Sequence, residues 1–370
     1  MGGASKNRKG AASDNFWRSR RLRRETYESR SLFDFRARGL SHINYCKIGC
    51  FRPRGKCVAK PKLSIVLGAH GQVAALKDGR VTVEGAKLEF VQVKPMTDAY
   101  RRMARNAEFD ISELAPTTYL AAKAKRAPIT ALPIPMTRRF RHAGLMLPES
   151  SPIRAPKDLE GKRVGVRAYT VTAGVWTRGI LQNEFGLDSS KVTWVTDDEE
   201  HVLGLDLPSN VIAAPAGRSL AQMFVDGELD AGFAGIAGIG AAPEGRVYHD
   251  LFENPKPLEA EWFKKTGIYP IHGVIAVRDQ VLAENPDLPR HLFAAFAAAK
   301  KLYLDDVMSG AADGDEDKRY RKLADLVGDP LPYGMGPNRA SLDALVLYAQ
   351  QQGFLSPHFS VSDLFLDPQK

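Results

Sequence analysis

The stretch GKRVGVRAYTVTAGVWTRGILQNEF, residues 161–185, constrains the fold of this chain more than any other. Residues 163–166 are β-branched or apolar enough for a buried strand. A polar loop, 167–172, follows, and a helix is predicted to begin near Thr172, with Thr170 or Thr172 as its cap. Trp176 and Ile180 then fall one turn apart, with Leu181 and Phe185 on the neighbouring stripe. Free N–H groups at such a helix start favour an anion. Arg167 stands beside them, so the loop is expected to hold a carboxylate. The plainer alternative is an ordinary strand-to-helix turn with an exposed arginine.

The same alternation runs from residue 61 onward. LSIVLG, 63–68, reads as a buried strand that ends in Gly68, Ala69 and His70, and KLEFVQV, 87–93, as a second strand. Residues 97–106 read as a short helix with Tyr100 and Met103 on one face. FDISEL, 109–114, is a strand ending at Ser112 and Glu113, and Thr117 and Thr118 open the next helix. Strands alternating with helices imply a mostly parallel, doubly wound sheet. Ligands of such sheets sit beyond the carboxyl ends of strands, where His70, Ser112, Glu113, Thr117 and Thr118 all fall.

Residues 131–147, ALPIPMTRRFRHAGLML, bridge this part to the next. If 138–147 is extended, Arg139 and Arg141 point one way and Phe140 and His142 the other. Two guanidiniums on one face suit a bound dianion. Residues 145–266 are expected to form a second lobe, with strands at 192–196, 229–235 and 248–252 and a helix over 217–227. The chain then returns through a Pro-containing segment bearing His272 to a strand at 274–278 and a long helix over 283–306. A final helix is expected to be capped by Asn338 or Ser341 and closed by Gly353. The first lobe is therefore expected to comprise 61–144 and 267–370. Trp176 is read as core, and Arg178 as a surface salt-bridge partner or a ligand residue.

Charge separates the start of the chain from this body. The net charge is +9, yet residues 1–62 hold 17 Lys/Arg against 4 Asp/Glu, which leaves 35 against 39 in the remainder. The basicity is thus poor grounds for nucleic-acid binding by the body. Residues 1–60 are expected to be a disordered basic leader, because their composition cannot build a core. Cys46, Cys50 and Cys57 lie there, and with His42 their spacing fits no common zinc pattern, so no metal is expected. No stretch reaches the roughly 20 apolar residues of a membrane span.

DLEGKRVGV at 158–166 and DGELDAGFAG at 226–235 resemble landmarks of type 2 periplasmic binding proteins. More closely, FDISEL, RRFRHAGLML, YTVTAGVWTRGIL, KTGIYPIHGV and YGMGPNRASLDALVLYAQQQGF resemble the 4,5-dihydroxyphthalate decarboxylase family. The resemblance spans about 61–368 and implies two α/β lobes around an interlobe cleft. It implies a decarboxylase acting on a hydroxylated aromatic dicarboxylate; the leader has no apolar core of a secretory signal, so a cytoplasmic location is expected. The alternative is the solute-binding component of an ABC-type transporter, partnered by a permease.

Such a decarboxylation needs no redox cofactor, and none is expected. A ring hydroxyl para to the carboxylate pushes electrons toward the carbon that takes a proton, carbon dioxide leaves, and the ring regains aromaticity. The protein must hold a dianion, supply a proton and keep the departing carboxylate dry. His142, His272 and Glu113 are the candidate acids, the last if burial raises its pKa. His70, Ser112, Thr117, Arg139, Arg141, Arg167, Tyr169, Thr170 and Thr172 are the candidate substrate contacts.

Overall fold

A computed structural model describes residues 60–370; the basic leader up to residue 59, with its three cysteines and His42, lies outside the described residues. Two sheets organise the rest. The first has the order β2-β1-β3-β11-β4, built from Lys62–Val66 (β1), Lys87–Phe90 (β2), Ile111–Leu114 (β3), Ile129–Leu132 (β4) and Val274–Arg278 (β11). The second has the order β10-β5-β9-β6-β7-β8. Its strands are Leu145–Pro148 (β5), Arg163–Gly165 (β6), Thr193–Thr196 (β7), Val211–Ala213 (β8), Ala231–Phe233 (β9) and Tyr248–Asp250 (β10). This is the two-lobed α/β arrangement that the resemblance implies.

The sheets are mixed rather than uniformly wound. β1 runs parallel to β2 and β3, but β11 is antiparallel to β3 and β4. In the second sheet β6, β7, β8 and β9 run parallel, β5 is antiparallel to β9, and β10 is antiparallel to β5 and so runs with the parallel set again. In each sheet one antiparallel strand, β11 beside β3 or β5 beside β9, is the strand next to a passage between the lobes. Those passages lie side by side. Arg138 and Ile271 form an antiparallel bridge, Met136 N–H donates to the Gly273 carbonyl (2.9 Å) and His272 N–H to that of Thr137 (2.8 Å).

The helices that shape the cleft are Met96–Asn106 (α1), Pro116–Ala124 (α2) and Thr172–Phe185 (α3). Helix α3 is buried almost all round from Thr172 to Leu181, the pattern of a central rather than a surface helix. It joins the core of the first lobe through Val175, Trp176 and Ile180, which pack with Leu345 and Tyr348 of the helix Met335–Gln351 (α4). Trp176 also donates from Nε1 to the Ile271 carbonyl at 2.9 Å.

Several local expectations change. Val171, not a threonine, is the N-cap of α3, and no side chain caps it. Arg178 is fully buried, not on a surface: it stacks over Tyr169 at 4.1 Å and Trp194 at 4.9 Å, and its Nε donates to Gln352. The long helix near residue 283 is two, Asp279–Glu284 and Leu288–Ser309, because Asn285-Pro286 breaks it. The helix expected over 217–227 is only Leu220–Val225, capped by Ser219. Asn338 and Ser341 sit inside α4, where they bond to loop carbonyls rather than capping it.

Candidate active site

A cleft of about 610 Å³ opens between the sheets. From the first lobe it takes the end of β1 (Gly68, His70), Tyr100 of α1, Glu113 of β3 and Thr118 of α2. The second lobe gives Arg167, Thr172, His201 and the turn after β9; the passages give Arg139, Arg141 and His272.

Glu113 anchors one wall. Its side chain is 4% exposed, and its carboxylate accepts from Gly68 N–H (2.9 Å), His70 Nε2 (2.9 Å to Oε2, 3.0 Å to Oε1) and the Tyr100 hydroxyl (3.3 Å). Burial pushes its pKa up, but the His70 hydrogen bond and charge, with Gly68 and Tyr100, outweigh burial and leave it below the usual value. Glu113 is therefore not the neutral acid that burial alone would make. His70 shows the converse: burial lowers it, the Glu113 bond and charge raise it more, and it ends above its ordinary value. Each group thus favours the charged form of the other.

Arg141 forms the opposite feature. Its Nε donates to His272 Nε2 at 2.9 Å, with Nη2 3.2 Å from Nδ1. Among the described residues no carboxylate lies within ion-pair distance of it. Burial, then Arg139 and Arg319, push its pKa down to about 10. Glu259, which acts on it through space, is itself pushed up to about 7 by burial and by Asp250, and so offers no full counter-charge. His272 is driven well below its normal value by burial, then Arg141 and Arg139, so it is neutral and unsuited to donate a proton at neutral pH.

The anion pocket expected at the start of α3 exists, but the protein fills it. Glu200 accepts from the backbone N–H groups of Tyr169 (2.5 Å) and Thr170 (3.2 Å) and from the Thr170 hydroxyl. Thr170 is thus committed to an internal carboxylate. Arg167 is likewise paired, its Nη1 2.9 Å from Asp198 Oδ2, and Arg101 of α1 reaches the same oxygen at 2.8 Å. Arg105 binds Glu199 at 2.8 Å, and His201 Nδ1 lies 2.8 Å from Thr118 Oγ1. The loop 197–201 therefore clasps α1 and α2 across the cleft. Sequence reasoning missed this loop and Tyr100; the signal was a run of four carboxylates, Asp197 to Glu200, directly after a strand.

The remaining candidates divide. Arg139 lines the cleft while paired with Glu316 at 3.1 Å in a half-exposed bridge. Thr172 lines it too, bonded at 2.7 Å to Thr117, which lies buried behind. Ser112 is fully buried and donates to the Glu113 carbonyl, and Tyr169 is buried under Arg178; neither lines the cleft. His142 also lies elsewhere, corrected by the strand alternation itself: Phe140 and His142 face away from Arg139 and Arg141. The His142 ring packs 5.1 Å from Trp262, near Phe185 and Phe252, and burial lowers its pKa to about 4. No group of His, Cys, Asp and Glu suited to a metal ion occurs among the described residues.

The cleft is thus an interlobe cavity with two arginines, Arg139 and Arg141, on its passage side. The chain is 30% identical over 322 residues to the 4,5-dihydroxyphthalate decarboxylase of Comamonas testosteroni, covering 83% of this chain and 97% of that protein. It is 32% identical over 213 residues to the enzyme of the same name from Pseudomonas putida, covering 55% and 82%. The chain belongs to the 4,5-dihydroxyphthalate decarboxylase family. A family model described as NMT1/THI5 like matches residues 70–206. Among solved structures the chain is similar to the periplasmic aliphatic sulphonate binding protein SsuA from Escherichia coli, with a TM-score of 0.45, 13% identity, and 83% and 92% of the two chains covered. It is similar also to the desulfurization enzyme DSZB, with a TM-score of 0.43, 16% identity, and 83% and 96% covered.

Proposed function

We propose that this protein is a decarboxylase of a hydroxylated aromatic dicarboxylate, 4,5-dihydroxyphthalate or a near analogue, bound between the lobes. The observation that carries this reading is Arg141, a guanidinium in the cleft with no carboxylate partner among the described residues. Enclosing a charge is costly unless it is paired, so a site built this way fits an anionic ligand. Arg141 takes one carboxylate. Arg139 helps, because its half-exposed bridge to Glu316 is weak and exchangeable. Met96, Val171 and Ala173 supply apolar wall against which carbon dioxide can leave. The family relationship favours the enzyme over a transporter component.

The test is direct. The protein is incubated with 4,5-dihydroxyphthalate and other hydroxylated phthalates, and released carbon dioxide is measured beside ligand binding. Carbon dioxide release that Arg141→Ala impairs supports the reading. Tight binding of these acids without release by the unmutated protein overturns it in favour of a receptor.

A further inference from the structure

Ring decarboxylation needs a proton at the carbon that loses its carboxylate, and the cleft narrows the choice of donor. His272 is neutral against Arg141, and His201 is pushed down to about 4 by burial, then Arg101 and Arg167, while its Nδ1 is engaged by Thr118. Tyr100 gives its hydroxyl hydrogen to Glu113, and burial raises its pKa well above normal. Arginines do not give up protons in this range. His70 is different. Its Nε2 is fixed on Glu113, its side chain is 24% exposed, and it lines the cleft. Its Nδ1 has no hydrogen bond among the described residues and is not a buried orphan. One nitrogen is therefore held and the other is open.

We propose that His70 is the general acid, delivering a proton from Nδ1 to the ring carbon that bears the departing carboxylate, while Glu113 positions the imidazolium through Nε2. This assignment rests on the decarboxylase reading. As the Nδ1–H bond breaks, a C–H bond forms with a ring electron pair released by the para hydroxyl oxygen. The C–C bond to the carboxylate then breaks, its electron pair restores the aromatic ring, and carbon dioxide leaves. Neutral His70 regains a proton from water. Nothing is oxidised or reduced.

Glu113 keeps the acid charged into the range where catalysis needs it. The groups facing His70 are Glu113 on β3, Tyr100 on α1 beyond it, Lys77, which bonds the Gly68 carbonyl and opposes the charge, and Glu316, which supports it. Removing the Glu113 charge shifts that balance toward neutral imidazole.

The experiment compares unmutated protein, His70→Gln, His70→Asn and Glu113→Gln for carbon dioxide release and substrate affinity across the pH range in which histidine titrates. Glutamine can keep the bond to Glu113, and asparagine places an amide near Nδ1; neither carries an acidic proton. Both should lower kcat by roughly 100- to 10,000-fold with affinity little changed. Glu113→Gln should move the alkaline limb of the pH profile to lower pH, which a purely structural role would not do. Turnover within about tenfold of normal in either folded His70 variant overturns the assignment, as does an unmoved limb in Glu113→Gln. If one His70 variant does not fold, the other variant and the pH profile decide. Absence of carbon dioxide from the unmutated protein sinks the decarboxylase reading, and the acid with it. Failure of the acid alone shows instead as an active His70 variant.

Discussion

Arg141 lies against His272, its Nε donating to Nε2 at 2.9 Å. The contact makes the histidine an acceptor and holds the guanidinium in the cleft where a ligand can reach it. A charge-assisted hydrogen bond is worth roughly 1.5–3 kcal/mol. Arg141→Ala should therefore weaken binding of a phthalate dianion about tenfold or more, measured by calorimetry. Arg141→Lys should recover only part of the loss, because a point charge does not replace a planar fork.

His142→Phe should leave turnover unchanged and alter acid stability. Below pH 6.5 the unfolded chain takes a proton at this position, while the fold resists it until about pH 4. The unfolded state thus binds more protons in that window, and stability falls as pH falls through it. Thermal melts of His142→Phe between those limits should show a shallower decline than the unmutated protein, by up to about 3 kcal/mol at the acid end. An equally steep decline would place the acid-sensitive group elsewhere.

The Asp198 bridge from Arg167 to Arg101 spans the cleft with side chains 20–34% exposed. Exposed pairs contribute about 0.2–1 kcal/mol and are screened by salt. A double-mutant cycle of Arg101→Ala and Asp198→Ala, followed by denaturant melts, should give a coupling of that size at low salt. The coupling should fade at high salt.

Gly179 is the close-approach point of α3. A Cβ there would come within 2.0 Å of the Tyr348 ring. Gly→Ala in a helix ordinarily gains up to about 1 kcal/mol, but overpacking costs about 1–3 kcal/mol, and against a rigid ring the cost should win. Gly179→Ala should melt lower than the unmutated protein, and adding Tyr348→Leu should cost less than the two changes taken separately.

Much of the fold could be read from the chain because period and punctuation agree: Ile111–Leu114 and α2 are marked by their own residues. The antiparallel setting of β11 could not be, since it depends on a partner about 160 residues away in β3. The same divide runs through the site. Strand ends marked His70, Glu113 and Arg167 as cleft residues from local order. The anion pocket at α3 was also legible, but its occupant was not, because Glu200 reaches Thr170 only after the loop 197–201 has folded over. The roles of His70 and Glu113 invert the first expectation for a related reason. Burial acts on one group alone, and the proton's location is decided by the pair.

The paired passages at Met136–Arg138 and Ile271–Gly273 carry a consequence for inheritance. The segment holding the whole second sheet leaves and rejoins the first lobe at one hydrogen-bonded ribbon. Exchange of that segment between related genes would find two junctions that already meet in space, but it would carry α3 with it and so would also have to restore the packing of Val175, Trp176 and Ile180 on Leu345 and Tyr348. The half of the cleft bearing Arg167 and the 197–201 clasp would change with the segment, while His70 and Glu113 would stay behind.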